Sequence, residues 1–359
     1  MKSLVQGLLL AATASLAQAQ TLPPGYPADY AKLIEAAKKD GVVTIYSTTD
    51  GKAAAPLIKD FEALYGIKIE YNDLNSTELY NRIIAESAAG TGTGDVSWSS
   101  APDLQVKLAA DGLALAYASP EIPNLPKWSV MENMAYGTTY EPMAILYNKS
   151  QVPAADTPKT HKDLTALLTT KKAAYMGKVT AYDPERSGVG FLMMNRDLKA
   201  DPSSWDLFKA LGAADIKVYT SAGAMIEKIG SGEHAIGLNI FASYAILAMK
   251  KNPNLGMILP SDYTLIAPRV AFIPAKAKHQ ASGKLFLDYL LSKRGQTIIS
   301  QAELFSIRDD VDGKETAKAV NAQLGDKARP IPVSRELLET LEQNKRLDFL
   351  NQWQAAIKK

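Results

Sequence analysis

"GVVTIYSTTDG", Gly41 to Gly51, decides the fold class. Its first half, "VVTIYS", is a continuous β-branched run, which suits a strand buried on both faces as in a parallel sheet. Before it, "PADYAKLIEAAKKDG" places Leu33, Ile34 and Ala37 at helical spacing and stops at Gly41, a natural residue past a helix end. After it, "STTDG" opens a second helix whose Leu57, Ile58, Phe61 and Leu64 recur on one face. The rhythm then repeats through strand "IKIEYNDL", a helix from Ser76 to Ala89, the turn "GTGTGD", strand "VSWSS" and the helix begun by "APDLQVKLAADG". Alternating β and α predicts an α/β sheet with crossover helices.

Outward from this unit, "MAYGTTYEPMAILYNK" carries the chain to a proline-marked segment, "SQVPAADTPKT", where a second α/β unit starts. That unit runs through "KVTAY", "GFLMMNRDL", Trp205 to Leu211, "IKVYT", "GAMIEKIGSG", "HAIGLNI" and "ASYAILAMKKN". A second extended run, "YTLIAPRVAFIPAKA", reads as the return strand. Two extended segments flanking an inserted unit predict two lobes joined by hinge strands near 140–148 and 264–274. The first lobe then comprises 20–142 and 271–359, with the C-terminal helices packing back on it, and the inserted lobe comprises 143–270.

The first residues, "MKSLVQGLLLAATASLAQAQ", carry a basic start at Lys2, a short apolar core and an A-x-A pattern at Ala17 and Ala19. Residues 1–19 therefore read as a signal peptide, with the mature chain beginning near Gln20 and exported to the periplasm. The apolar core falls short of the roughly 20 residues a membrane span needs. With no cysteine in 359 residues, disulfides and thiol chemistry are excluded. Forty Lys and Arg against 38 Asp and Glu leave too little net charge for a nucleic-acid reader.

Catalytic chemistry leaves little trace. His161, His234 and His279 are far apart and each looks local, and HExxH, CxxC, G-x-S-x-G and Walker patterns are missing. The "SGVG" of Ser187 to Gly190 is half of a dinucleotide fingerprint, without its glycine spacing. What recurs is a hydroxyl-rich junction between strand and helix. Ser47, Thr48 and Thr49 follow the first strand, Ser99 and Ser100 the third, Thr220 and Ser221 follow "IKVY", and Ser187 and Gly188 follow "KVTAYDPER". In an open parallel sheet such junctions lie at the carboxyl edge, where ligands bind, and helix N-termini there suit an oxyanion. The same hydroxyls also suit ordinary N-caps. An exported hydrolase with Ser47, Ser187 or Asp183 as nucleophile is the competing reading, and it lacks a partnered histidine nearby in sequence.

These segments, with "LIEAAKKDGVVTIYST", "GDVSWSS", "YEPMAILYNK", "DPERSGVGF", "YTSAGAMIEKIGSGEHAIGLNI" and "SGKLFLDYLLSKRGQ", resemble periplasmic solute-binding proteins of ABC importers over nearly all of the mature chain. The similarity is to extracellular solute-binding family 1, in the branch that takes ferric ion, hexose phosphates or phosphonates. It implies the two-lobed type II periplasmic binding fold, each lobe a mostly parallel sheet flanked by helices. It also implies a binding protein and not an enzyme, acting as a monomer without cofactor, which closes on a small anionic solute and presents it to an inner-membrane ABC permease. Ferric-binding members use two adjacent tyrosines after the strand matching "HAIGLNI". Here "FASYAILA" has Tyr244 alone, which makes iron the alternative. "DPERSG" is similar to the D-P-x-R-S-G segment of the organophosphate branch. Carried over, Arg186, Ser187 and Gly188 would meet an anion, and Asp183 would accept from a ligand hydroxyl or ammonium. Tyr140 and Arg269, near the hinge strands, complete the candidates. No metal ligand set is assigned.

Overall fold

Val43 and Ile45 have no exposed surface, as a run of β-branched residues requires when both sheet faces are covered. The helix Gly51–Tyr65 that follows lays Leu57 and Phe61 onto them, and Phe61 packs edge-on against Phe286 and Tyr289 of the helix Gln280–Leu291. The computed structural model describes residues 25–92 and 94–358. The signal peptide 1–19 and the mature start near Gln20 lie outside the described residues.

The strands are β1 (Val42–Ser47), β2 (Lys68–Asp73), β3 (Val96–Ser99), β4 (Val130–Met131), β5 (Ala135–Gly137), β6 (Glu141–Asn148), β7 (Val179–Tyr182), β8 (Lys217–Tyr219), β9 (Ile236–Phe241), β10 (Leu255–Ile258), β11 (Thr264–Ala267), β12 (Val270–Phe272) and β13 (Ala328–Pro330). They form two sheets, one ordered β2-β1-β3-β12-β5-β4 and the other β13-β11-β6-β9-β7-β8, with β10 also pairing β6. Each sheet has a parallel part, β2-β1-β3 and β9-β7-β8. Each is extended by antiparallel strands that carry the chain between lobes: β6 pairs antiparallel with β9, and β12 with β3 and β5.

The chain passes from β5 to β6 through Thr138–Tyr140 and returns from β11 to β12 through Pro268 and Arg269. These two crossings are tied together. Thr138 N donates to the Arg269 carbonyl at 2.8 Å, and Arg269 N donates to Thr139 Oγ1 at 2.8 Å.

A third crossing departs from the sequence expectation. Residues 271–359 do not all stay with the first lobe: β13 pairs with β11 of the second sheet, and the helix Gln343–Ile357 packs against the helix Ser204–Ala213. The reason is a four-residue spacing. Phe349 and Trp353 stand on one helix face, and that face is buried among Phe191, Phe208 and Trp205 of the second lobe. Each such aromatic side chain stabilises the docking by about 1.5–3 kcal/mol when fully buried.

Candidate functional site

The six strands of β2-β1-β3 and β9-β7-β8 end at one place. A cavity of about 320 Å³ between the lobes is lined by Thr48 past β1, Asp73, Leu74 and Asn75 at the end of β2, and Ser100 past β3. From the second lobe come Tyr182 at the end of β7, Thr220 and Ser221 past β8, and Phe241 and Tyr244 at the end of β9. Asp50, Ser76, Val189, Ala222 and Gly223 complete the wall. This is the carboxyl edge of both sheets, brought face to face.

Local sequence explains each junction. Asp50 and Asn75 are acceptors at the starts of their helices: Asp50 takes the Lys52 amide at 2.8 Å, and Asn75 forms a capping box with Glu78. Ser221 caps the helix Ala222–Ser231 by accepting from Ala224 N at 3.3 Å. That leaves the first amides of this helix, Ala222 and Gly223, at the cavity wall. Thr48 Oγ1 and Ser100 Oγ lie 3.0 Å apart and knit β1 to β3 at the floor.

Of the sequence candidates, Thr48, Ser100, Thr220, Ser221 and Tyr244 line the cavity. The others do not. Ser47 is buried, donating to the Trp98 carbonyl and accepting from Thr49 N. Ser99 accepts from Ala101 N, and Thr49 accepts from Arg269. Tyr140 donates to Asn321, away from the cleft.

The "DPERSG" junction stands apart as well. Asp183 accepts from Glu185 N within its own turn, Ser187 caps its own helix, and Arg186 is exposed outside the cavity. Its backbone meets the opposite lobe instead. Thr77 Oγ1 donates to the Arg186 carbonyl at 3.1 Å, and Gly188 N donates to Ser76 Oγ at 3.1 Å. A third bond across the lobes runs from Asp50 N to Tyr244 Oη at 3.0 Å. The helix N-terminus expected to hold an anion therefore holds the first lobe's serine.

Arg269 sits behind the cavity with no exposed surface. Its Nε and Nη2 donate to the two oxygens of Glu141 at 2.7 and 3.1 Å, and its Nη1 donates to Thr49 Oγ1 at 3.0 Å. The guanidinium lies 5.1 Å from the ring centroids of both Phe241 and Tyr244. Burial opposes its charge, but Glu141 and then Tyr244 more than compensate and hold its pKa above the ordinary value. The hydroxyls of Thr139 and Ser243 also donate to Glu141, so this buried pair is fully satisfied.

Sequence reasoning missed Asp50, Asp73 and Tyr182 as cavity residues. Tyr182 is 3% exposed, and its hydroxyl makes no hydrogen bond to the described residues. Burial pushes its phenol pKa up, with Tyr244 adding to the shift. Burial likewise raises Asp73, partly countered by the Gly51 amide and reinforced by Asp50. Among the described residues that line the cavity, none is Lys, Arg or His. Nor does any group of three or more His, Cys, Asp or Glu among the described residues form a metal cluster.

A larger cavity, about 670 Å³, opens on the first lobe beside Tyr26, Tyr30, Tyr65 and Tyr289. Several of its polar groups are already paired: Tyr26 with Glu121, Tyr30 with Asp288, Tyr289 with Asp60, and Arg308 with Glu121 and Asp310.

Comparison with known proteins agrees with this geometry. The family model of bacterial extracellular solute-binding proteins matches residues 56–323. A substrate-binding protein of an ABC transporter from Agrobacterium tumefaciens is 35% identical, with 88% of this chain and 94% of that chain aligned at a TM-score of 0.86. Iron-bound HitA from Pseudomonas aeruginosa aligns at 19% identity and a TM-score of 0.70, covering 88% of this chain and 99% of that one. AfuA from Actinobacillus pleuropneumoniae, with fructose-6-phosphate bound, aligns at 20% and 0.68, covering 88% and 98%. The last two share the two-lobed type II periplasmic binding fold. With three quarters of its length under the family model and its strand ends converging on an interlobe cavity, the chain belongs to the bacterial extracellular solute-binding proteins.

Proposed function

We propose that this protein is the periplasmic binding component of an ABC importer, a monomer without enzymatic activity. It captures a small organic oxyanion between its lobes and hands it to a membrane permease. One observation carries the reading. The start of the helix Ala222–Ser231, with Thr220 and Ser221 beside it, opens into the interlobe cavity next to the unpartnered hydroxyl of Tyr182. Amides at a helix start favour an anion, and a phenol hydroxyl on the cavity wall can donate to one. A ligand touching both walls favours the closed state by its differential affinity, which is how capture couples to closure.

A specific observation also favours ferric ion as a second reading. Tyr182, Tyr244, Asp50 and Asp73 make an all-oxygen lining of the kind a hard cation prefers. Against it, burial raises both phenol pKa values and so disfavours phenolate.

Thermal-shift screening of the mature chain against phosphorylated sugars, phosphonates, dicarboxylates and ferric citrate tests the choice. A ligand at 100 times its Kd stabilises by about 2.7 kcal/mol, which moves the midpoint by several degrees. Stabilisation by ferric salts with a new visible absorption band, and by no organic anion, would overturn the first reading. Chemical turnover of a bound solute would overturn the binding role.

A further inference from the structure

We propose that closure of the lobes takes up one proton on Asp103, so that capture strengthens as the surroundings turn acid. This rests on capture by lobe closure and on no particular solute. Asp103 stands at the second position of the helix Pro102–Ala110, next to Leu104, which packs against Gly188 of the other lobe. It has no exposed surface, and neither of its carboxylate oxygens has a hydrogen-bond partner among the described residues. An ionised carboxylate held in this way is a buried charge without a partner, and such a group is stabilised by taking a proton.

The two cations that face Asp103 stand on helices of the opposite lobe, and neither pairs with it. Arg196, on the helix Gly188–Ala200, turns to Glu336 at 3.4 Å and leaves its Nε buried without a partner among the described residues. Arg346, on the helix Gln343–Ile357, lies 4.5 Å from the ring centroid of Phe191. The first lobe adds only the phenol of Tyr80, from the helix Ser76–Ala89. On the helix of Asp103 itself, Lys107 pairs with Asp111. The short helix Arg335–Leu341 packs on it with Arg335 paired to Glu132, Glu336 paired to Arg196 and Lys199, and Glu339 exposed. β5 and β12, which also touch it, bring no Asp, Glu, Lys, Arg or His. Burial outweighs the helix-start amides and the two arginines, and it pushes the Asp103 pKa up to about 7. When the lobes part, the helices of Arg196 and Arg346 leave with the second lobe and water reaches the carboxyl, whose pKa returns toward its usual 3.8. The closed state thus binds a proton that the open state releases. The advantage to closure is full below the lower value and is lost as pH rises through the upper one, by at most about tenfold per pH unit.

The chain contains no cysteine, so fluorophores on Lys59→Cys of the helix Gly51–Tyr65 and Glu227→Cys of the helix Ala222–Ser231, both exposed positions, report the interlobe distance by single-molecule energy transfer. The test uses the labelled mature protein without solute, and the same protein carrying Gly188→Ala, whose methyl meets Leu104 and favours the open form. From about pH 7.5 to about pH 5.5 the closed-to-open ratio should rise by at least about tenfold in the background where both forms are populated. Asp103→Asn and Asp103→Ala each remove the titrating group, and whichever of them folds by its melting curve should show the same ratio at both pH values. A ratio that stays flat or falls on acidification, while Gly188→Ala still changes the distance, overturns the proton coupling and leaves capture by closure standing. A rise that survives in the Asp103 variants puts the proton elsewhere and overturns the proposal as well. A single distance at every pH, with and without Gly188→Ala, overturns closure itself and the proposal with it.

Discussion

Replacing Gly188 with Ala isolates closure from folding. A Cβ at this position would stand 2.5 Å from Leu104 Cδ1, 3.2 Å from Ser76 Oγ and 3.4 Å from Leu104 Cγ. Carbon atoms pack at about 3.5–4.0 Å, so the methyl overlaps Leu104 by about 1 Å. Leu104 sits on the helix Pro102–Ala110 and Ser76 on the helix Ser76–Ala89, both of the first lobe, whereas Gly188 opens the helix Gly188–Ala200 of the second. The clash therefore exists only when the lobes meet. Overpacking of this kind costs about 1–3 kcal/mol. Placed on the closed state alone, it weakens apparent affinity by about 5- to 150-fold. Titration with the solute found by screening reads the loss, and small-angle scattering of the free protein reads the shift to a more open form. Thermal unfolding without ligand should not change. Adding Leu104→Ala should restore affinity, since removing the methyl's collision partner removes the coupling. Wild-type affinity for the single variant, or an equal loss of unliganded stability, would show that Leu104 and Gly188 do not meet on closure.

Arg186→Ala should alter affinity by less than about threefold, because only the Arg186 carbonyl is engaged; a tenfold loss in titration would put its side chain in the site. Tyr182→Phe should leave the unliganded melting midpoint unchanged and weaken the solute by about 0.5–1.5 kcal/mol, the worth of one hydrogen bond; a fall in the midpoint would mean that the hydroxyl already has a structural partner. Arg269→Met leaves Glu141 buried and unpaired and should cost about 3–5 kcal/mol of stability, read by denaturant unfolding, while an unchanged midpoint would refute the pairing. Asp103 is buried with both carboxylate oxygens unpartnered, and burial pushes its pKa up to about 7, only partly offset by neighbouring amides, Arg196 and Arg346. The folded protein thus holds a proton that the unfolded chain releases near its usual pKa of 3.8. This contribution is full below that value and is lost as pH rises toward 7, by about 1.4 kcal/mol per unit. Asp103→Asn should flatten the melting midpoint between pH 4 and 7, and an unaltered slope would refute the assignment.

The lobed α/β plan was legible because burial and periodicity are local. "VVTIYS" can only be a covered strand, and five hydroxyl or phenol residues at strand ends, Thr48, Ser100, Thr220, Ser221 and Tyr244, fall on the cavity wall simply because that edge is where parallel strands stop. Asp50 escaped because a carboxylate at a helix start reads first as a cap, which it also is, and Asp73 because it ends a strand and meets the Gly51 amide of a helix 22 residues earlier. The last helix was misplaced for a related reason. Phe349 and Trp353 mark a face that must be buried, and nothing local says against which lobe.

The sequence by itself determined the alternation of strand and helix and the strand-end chemistry, since each follows from neighbours within a few turns of chain. Tertiary structure alone decided how that chemistry is used. In "DPERSG" the local pattern for holding an anion and the pattern for meeting another lobe are the same: a serine cap, a glycine and free amides at a helix start. Ser76 and Thr77, more than one hundred residues away in sequence, take the Gly188 amide and offer a donor to the Arg186 carbonyl, so the segment joins the lobes. A hydrogen-bond donor is spent by whichever acceptor packing brings to it, and that acceptor is not written nearby.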